Sequence, residues 1–126
     1  MKIQNLDQIR AKNALVAAEN KMGGKNSGEV VKKVPPMIRE NGILGALAFA
    51  KDKDKDKESS GDYGKCFEAI IAHLKSVGKT SASSLDDFLN ELVDADSAKL
   101  RDVTAESMLY LNYLRRFAEK PEKKEE

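Results

Sequence analysis

The sequence contains no tryptophan, one cysteine and one histidine, and only 6% of its 126 residues are aromatic. With so few rings, a core has to be assembled from Ala, Leu, Ile and Val, a mixture that favours helices over strands. The single cysteine, Cys66, excludes an internal disulfide and fits a reducing compartment. The single histidine, His73, shares its helix, but two ligands do not make a zinc site. Cys66 therefore reads as a small core residue and His73 as a surface or boundary residue. No apolar run approaches the roughly 20 residues that span a bilayer, and MKIQNLDQIR lacks the apolar centre of a secretory signal. A soluble, cytoplasmic protein with no membrane partner is expected.

Catalytic patterns are missing too. No serine lies in a nucleophile elbow, and no glycine cluster opens a helix as a phosphate loop does; Gly23-Gly24-Lys25 is only a turn. The acidic pairs Asp86-Asp87 and Asp94/Asp96 fall at helix starts, where capping accounts for them. Nothing assembles a nucleophile, a base and an orienting group. The sequence is that of a non-enzyme with no catalytic residue, no cofactor, no metal and no small-molecule substrate.

What is present is organised around residues 34–50, VPPMIRENGILGALAFA. From Ile43 to Ala50 there is no polar side chain, so the segment is apolar on every side of a helix and calls for neighbours all round. Pro35 and Pro36 suit a first helical turn, and they push Val34 out of the helical region. Asn41-Gly42 offers a bend. Before this stretch, residues 3–22 form a helix whose inward face is Ala11, Leu15, Ala18 and Met22, ended by Gly23-Gly24. Asn26 with Glu29 resembles a capping box for a short helix through Lys33.

After it, KDKDKDKESSGD, residues 51–62, has no hydrophobic period and reads as a flexible charged connector. Residues 63–77 give a helix with Phe67, Ile70, Ile71, Leu74 and Val77 inward, closed by Gly78. Ser84 and Asp87 form a second capping box before LDDFLNELV. The last helix runs from about Ser97 to Glu119 with Leu100, Val103, Ser107, Tyr110, Leu111, Leu114 and Phe117 on one stripe. Pro121 stops it, leaving residues 121–126 as a charged tail. No strand pattern occurs. The expected fold is all-α: a single-domain bundle of five to seven helices over residues 1–120, around a buried central helix.

Charge nearly cancels, with 22 basic and 21 acidic residues, but its distribution is uneven. Residues 1–50 carry eight basic groups against four acids. A basic side on a neutral protein can hold a polyanion and is equally often a solvated surface. Arg10, Lys21, Lys33, Arg39, Arg101, Arg115 and Arg116 stand where helix surfaces could present them to phosphates, arginine being suited to bidentate contacts. Tyr110 and Phe117 look inward, leaving only Tyr63 and Tyr113 for stacking. Any nucleic-acid binding should be backbone-directed and salt-sensitive.

The segment KKVPPMIRENGILGALAFAK, residues 32–51, resembles the signature of the small subunit of the Cmr complex, the type III-B CRISPR RNA-guided effector. Pro36, Ile38, Arg39, Asn41, Gly42, Leu47, Ala48 and Phe49 carry the likeness. LRDVTAESMLYLNYLRRFAE, residues 100–119, is similar to that family's ending through Arg101, Thr104, Glu106, Leu111, Leu114, Arg116, Phe117, Ala118 and Glu119. RAKNALVAAE, residues 10–19, matches more loosely. Tyr113 stands where the family often has Trp, and Leu100 where it often has Tyr.

The resemblance implies a helical, non-catalytic structural subunit in antiviral defence. Such a subunit stacks in several copies along a filament of backbone subunits and lines the groove holding guide RNA paired to target RNA. By matched position it makes Arg39, Arg101, Arg115 and Arg116 contacts to RNA or to neighbouring subunits, with Arg10, Lys21, Lys33 and Lys51 as weaker candidates. A helical protein–protein adaptor or oligomerisation module with no nucleic-acid role remains the alternative reading.

Overall fold

The stretch of residues 34–50 lies inside one long, bent helix. The computed structural model describes residues 4–20, 25–54 and 61–118. Among these, five helices follow one another with no strand: α1 (Leu6–Asn20), α2 (Lys25–Asp54), α3 (Asp62–Ser76), α4 (Leu85–Val93) and α5 (Ser97–Ala118). α2 packs against α3, α4 and α5, so it is the shared wall of the bundle, and α1 lies against α3 and α5.

The bend falls at Gly42, whose φ of 78° and ψ of 163° interrupt an otherwise helical backbone. An L-residue would be strained there whatever its size. Upstream of the bend the structure corrects the expected break at Val34: α2 runs straight through Val34, Pro35 and Pro36. Val30, Val31, Val34 and Ile38 form one buried face, and burial of that face outweighs the local preference of a residue preceding proline. Asn26 consequently sits inside the first turn of α2 rather than capping a separate helix.

Downstream of the bend, Ile43, Ala46, Leu47 and Ala50 are buried, but Ala48 and Phe49 face solvent. The expectation of neighbours on all sides is thus only partly met. On the outer side Phe49 has Tyr63 edge-on to its ring, with centroids 5.1 Å apart. The helix also continues through residues 51–54, four residues into the expected connector. Lysines there face the negative end of the helix dipole, and Lys53 lies over the Phe49 ring. Residues 55–60 and the 121–126 tail lie outside the described residues.

α3 and α5 carry the core stripes expected of them. Phe67, Ile70, Ile71 and Leu74 of α3 meet Val103, Tyr110, Leu111 and Leu114 of α5 in the buried cluster that also takes in Leu47 and Cys66. Gly78, at φ 77°, ends α3, with the Lys79 and Gly78 amides donating to the Leu74 and Lys75 carbonyls, a Schellman closure. The Ser84 hydroxyl accepts from the Asp87 amide at 3.1 Å and opens α4. Asp96 does the same for α5 through the Lys99 amide.

The inward face of α1 differs from the periodicity. Ala14 and Ala18 are buried while Leu15 and Val16 are exposed. The helix is rotated by roughly a quarter turn from the predicted face, because Arg10 and Asn13 turn inward beside Ala14 and Ala18. Met22 and the Gly23-Gly24 turn lie outside the described residues.

Candidate nucleic-acid and subunit interface

α5 is apolar on one side and presents a basic strip on the other. Arg101, Ala105, Leu109, Asn112 and Arg116 follow one another along its exposed face, with Arg115 half-buried at the margin. The strip spans about 22 Å, fifteen residues at the helical rise. No carboxylate interrupts it: the neighbouring Asp102 is engaged by Lys79 at 3.0 Å, and Glu106 points inward. Arg101, Arg115 and Arg116 make no ion pair among the described residues. Among the described residues, then, no carboxylate ties these guanidinium groups to the bundle.

Arg101 also edges a groove of about 650 Å³ between the Gly42 bend and the start of α5. Ile43, Leu44, Leu100 and Ala105 make it mainly apolar, with Asn41 and Thr104 as polar contributors. The bend creates the groove, since a straight α2 would carry its side chains along α5 without a gap.

The other candidates do not gather on this face. Arg39, just before the Gly42 bend, and Lys33 are both exposed on α2, but six residues separate them, roughly 120° around the helix. Lys51 bonds Asp86 at the start of α4, tying the end of α2 to the bundle. Lys21 lies outside the described residues. Arg10 is turned inward: its Nε and a terminal nitrogen donate to both oxygens of Glu106 at 2.7 and 2.8 Å, and its side chain is only 13% exposed.

That pair belongs to a cluster which the sequence did not announce. Glu106 is buried, and its Oε2 also accepts from His73 Nε2 at 2.8 Å. His73, expected at the surface or boundary, is buried and stacked on Tyr110, with ring centroids 4.4 Å apart and planes 7° from parallel. Asn13 Nδ2 reaches His73 Nδ1 at 2.9 Å and the Ser76 hydroxyl at 2.8 Å. The Arg10 bonds hold the Glu106 carboxyl below the usual carboxylate range and raise Arg10 in turn. Burial pulls the His73 imidazole down, keeping it neutral. Such a cluster can fix helices against one another; with its carboxylate committed to a guanidinium it offers no free base.

Cys66 is fully buried and its thiol is pushed up to about 12 by desolvation, as suits a core residue. Tyr113 is half-buried, its ring tilted against Phe117, and the nearby Asp7 carboxylate raises its phenol. Among the described residues no three His, Cys, Asp or Glu side chains come together as a metal site, and no helix is long and apolar enough to cross a membrane.

Comparison with known proteins bears on this helical scaffold as a whole. No curated protein matches the chain. A crystal structure of a CRISPR-associated Cmr5 family protein from Thermus thermophilus has the same fold, with a TM-score of 0.70 and 21% sequence identity over 92% of this chain and 96% of that one. The profile of the family described as CRISPR-associated protein (Cas_Cmr5) matches residues 6–120, which takes in all five helices, the Gly42 bend and the basic strip. The chain belongs to the Cmr5 family of CRISPR-associated proteins.

Proposed function

We propose that this Cmr subunit is a non-catalytic structural part of a type III-B CRISPR effector, stacking along the backbone filament and lining the groove that holds guide RNA paired to target RNA. The observation that carries the proposal is the α5 strip. Arg101 and Arg116 are exposed, with Arg115 at their margin, and all three are uncompensated among the described residues. They are held on a rigid helix whose opposite side is core. A paired RNA presents phosphates and shape rather than stackable bases, and unpaired arginines at fixed spacing suit that target.

Arg39 and Lys33 are exposed on α2 but do not continue the α5 strip. Arg10 and Lys51 serve folding contacts instead, since Glu106 and Asp86 occupy them. The apolar groove beside Arg101 supports a protein contact there, so Arg101 stands at the junction of RNA and subunit surfaces.

The triple variant Arg101→Ala, Arg115→Ala, Arg116→Ala tests this. It should fold as the parent does, because none of the three makes an ion pair within the described bundle. RNA retention by the assembled complex should weaken, and the slope of log affinity against log salt should fall by about two to three. An unchanged slope with intact assembly would favour the adaptor reading, in which the strip meets protein alone.

A further inference from the structure

With His73 neutral, the Arg10–Glu106–His73–Asn13 cluster has one arrangement of protons. Glu106 is a carboxylate and can only accept, so His73 Nε2 carries the hydrogen that it receives. His73 Nδ1 is then a bare acceptor, and Asn13 must turn its amide nitrogen toward it. The second Asn13 N–H goes to Ser76 Oγ, whose own hydrogen goes to the His73 carbonyl at 2.8 Å. The chain of bonds runs from α1 through α3 to α5.

The same cluster does much of the work of docking α1. That helix brings only small side chains, Ala14 and Ala18, to full burial, while Leu15 and Val16 stay exposed. Beside these and the partly buried Ala17, its polar links inward are Arg10 to Glu106 and Asn13 to His73 and Ser76. α1 packs closely on α5 through small side chains, so its polar links carry a larger share of its docking than they would beneath a large apolar face.

We propose that His73 is a proton-operated latch for α1. With the imidazole neutral, Asn13 is clamped and α1 stays seated. A second proton would place Nδ1–H against the Asn13 N–H, donor against donor. Asn13 would then have to turn its Oδ1 toward Nδ1–H, drawing the Ser76 hydrogen off the His73 carbonyl, or α1 would have to leave and let the imidazolium reach water. The groups facing His73 are Glu106 and Tyr110 on α5, Arg10 and Asn13 on α1, and Ser76 on its own helix. Glu106 is held ionised by Arg10, and burial raises the Tyr110 phenol and the Cys66 thiol beside it. Within the cluster, then, His73 is the group whose charge changes below its ordinary value of 6.5 while Glu106 stays ionised and Tyr110 and Cys66 stay neutral.

The sign follows from linkage. The seated state holds His73 below its ordinary value of 6.5; when α1 leaves, water reaches the ring and the Arg10 charge departs, and both raise it. Seating is therefore favoured at high pH and weakens as pH falls toward the seated pKa, by up to about tenfold per pH unit.

His73 is the chain's only histidine, so its ring resonances are unambiguous. Nuclear magnetic resonance of the whole protein should show the Nε2–H tautomer at neutral pH and a titration midpoint below 6.5. Across that titration, hydrogen exchange corrected for intrinsic rates should speed up in α1 ahead of the interiors of α3 and α5. Asn13→Asp supplies an acceptor for Nδ1–H; it should raise the His73 midpoint and reverse the pH dependence of α1 exchange. A midpoint at or above 6.5, an Nδ1–H tautomer, or α1 protection that stays level while His73 titrates would each overturn the latch. These readings on the wild type stand even if the Asn13→Asp variant does not fold.

Discussion

Glu106→Ala is expected to destabilise the protein by about 3–5 kcal/mol, the cost of breaking a buried ion pair by deleting one partner. The loss is large because Glu106 serves two elements at once. Its carboxylate, 4% exposed, takes two bonds from Arg10 of α1 and one from His73 of α3. Removing it leaves a mostly buried guanidinium with only the exposed Asp7 nearby and an imidazole N–H with no acceptor. Glu106→Gln should cost less, since its amide oxygen still accepts one bond. Linkage adds a signature. A carboxyl held below its unfolded pKa stabilises above the unfolded value, and that contribution fades as pH falls through the folded one. The Ala variant should therefore lose part of the parent's stability increase between acid and about pH 6. Urea midpoints at several pH values measure both effects, and a cost under about 1 kcal/mol would show that the cluster is incidental to stability.

Leu47→Ala is the second large effect, at about 2–5 kcal/mol. Leu47 is fully buried on the post-bend half of α2, where that helix meets α3 and α5. Close-packed surroundings fixed by neighbouring helices cannot collapse into the space left behind. Phe49, two residues on, makes the comparison: it is 39% exposed, and Phe49→Ala should cost much less despite removing more atoms. Equal costs for the two would mean that the outer side of α2 is covered in a way this bundle does not show.

The contrast between these residues explains what could be read in the chain. Apolar positions at helical spacing specify α3 and α5, and the Asn41-Gly42 pair marks the bend, because each signal is local and repeats within a few residues. Ser84 and Asp87 are legible for the same reason. The cluster around Glu106 is not, since its bonds join residues 33 and 96 positions apart, and a lone Arg, Asn, His or Glu on a helix carries no mark of where it points. The rotation of α1 follows from that omission: Leu15 has the spacing of a core residue, but Arg10 and Asn13 turn inward beside Ala14 and Ala18. Arg10 thus moves from the candidate contacts to the framework. Val34 and residues 51–54 depart from expectation for a different reason, tertiary burial and helix continuation outweighing local propensity.

For function, the family resemblance of residues 32–51 and 100–119 goes further than charge counting, since a chain with 22 bases and 21 acids announces no polyanion partner. The structure refines the arginines by showing which are already engaged. Those along the outer side of α5 have no ion-pair partner within the described fold, and this is the physical content of the RNA-groove proposal.

The central claim is most directly tested by isolating the tagged protein from its own host under native conditions, with sequencing of the RNA and mass spectrometry of the proteins that accompany it. The account predicts repeat-derived guide RNA together with several Cmr subunits, and loss of the RNA but not of the protein fold in the Arg101, Arg115, Arg116 triple variant. Stable protein partners with no guide RNA at any salt concentration would contradict it and leave a helical adaptor.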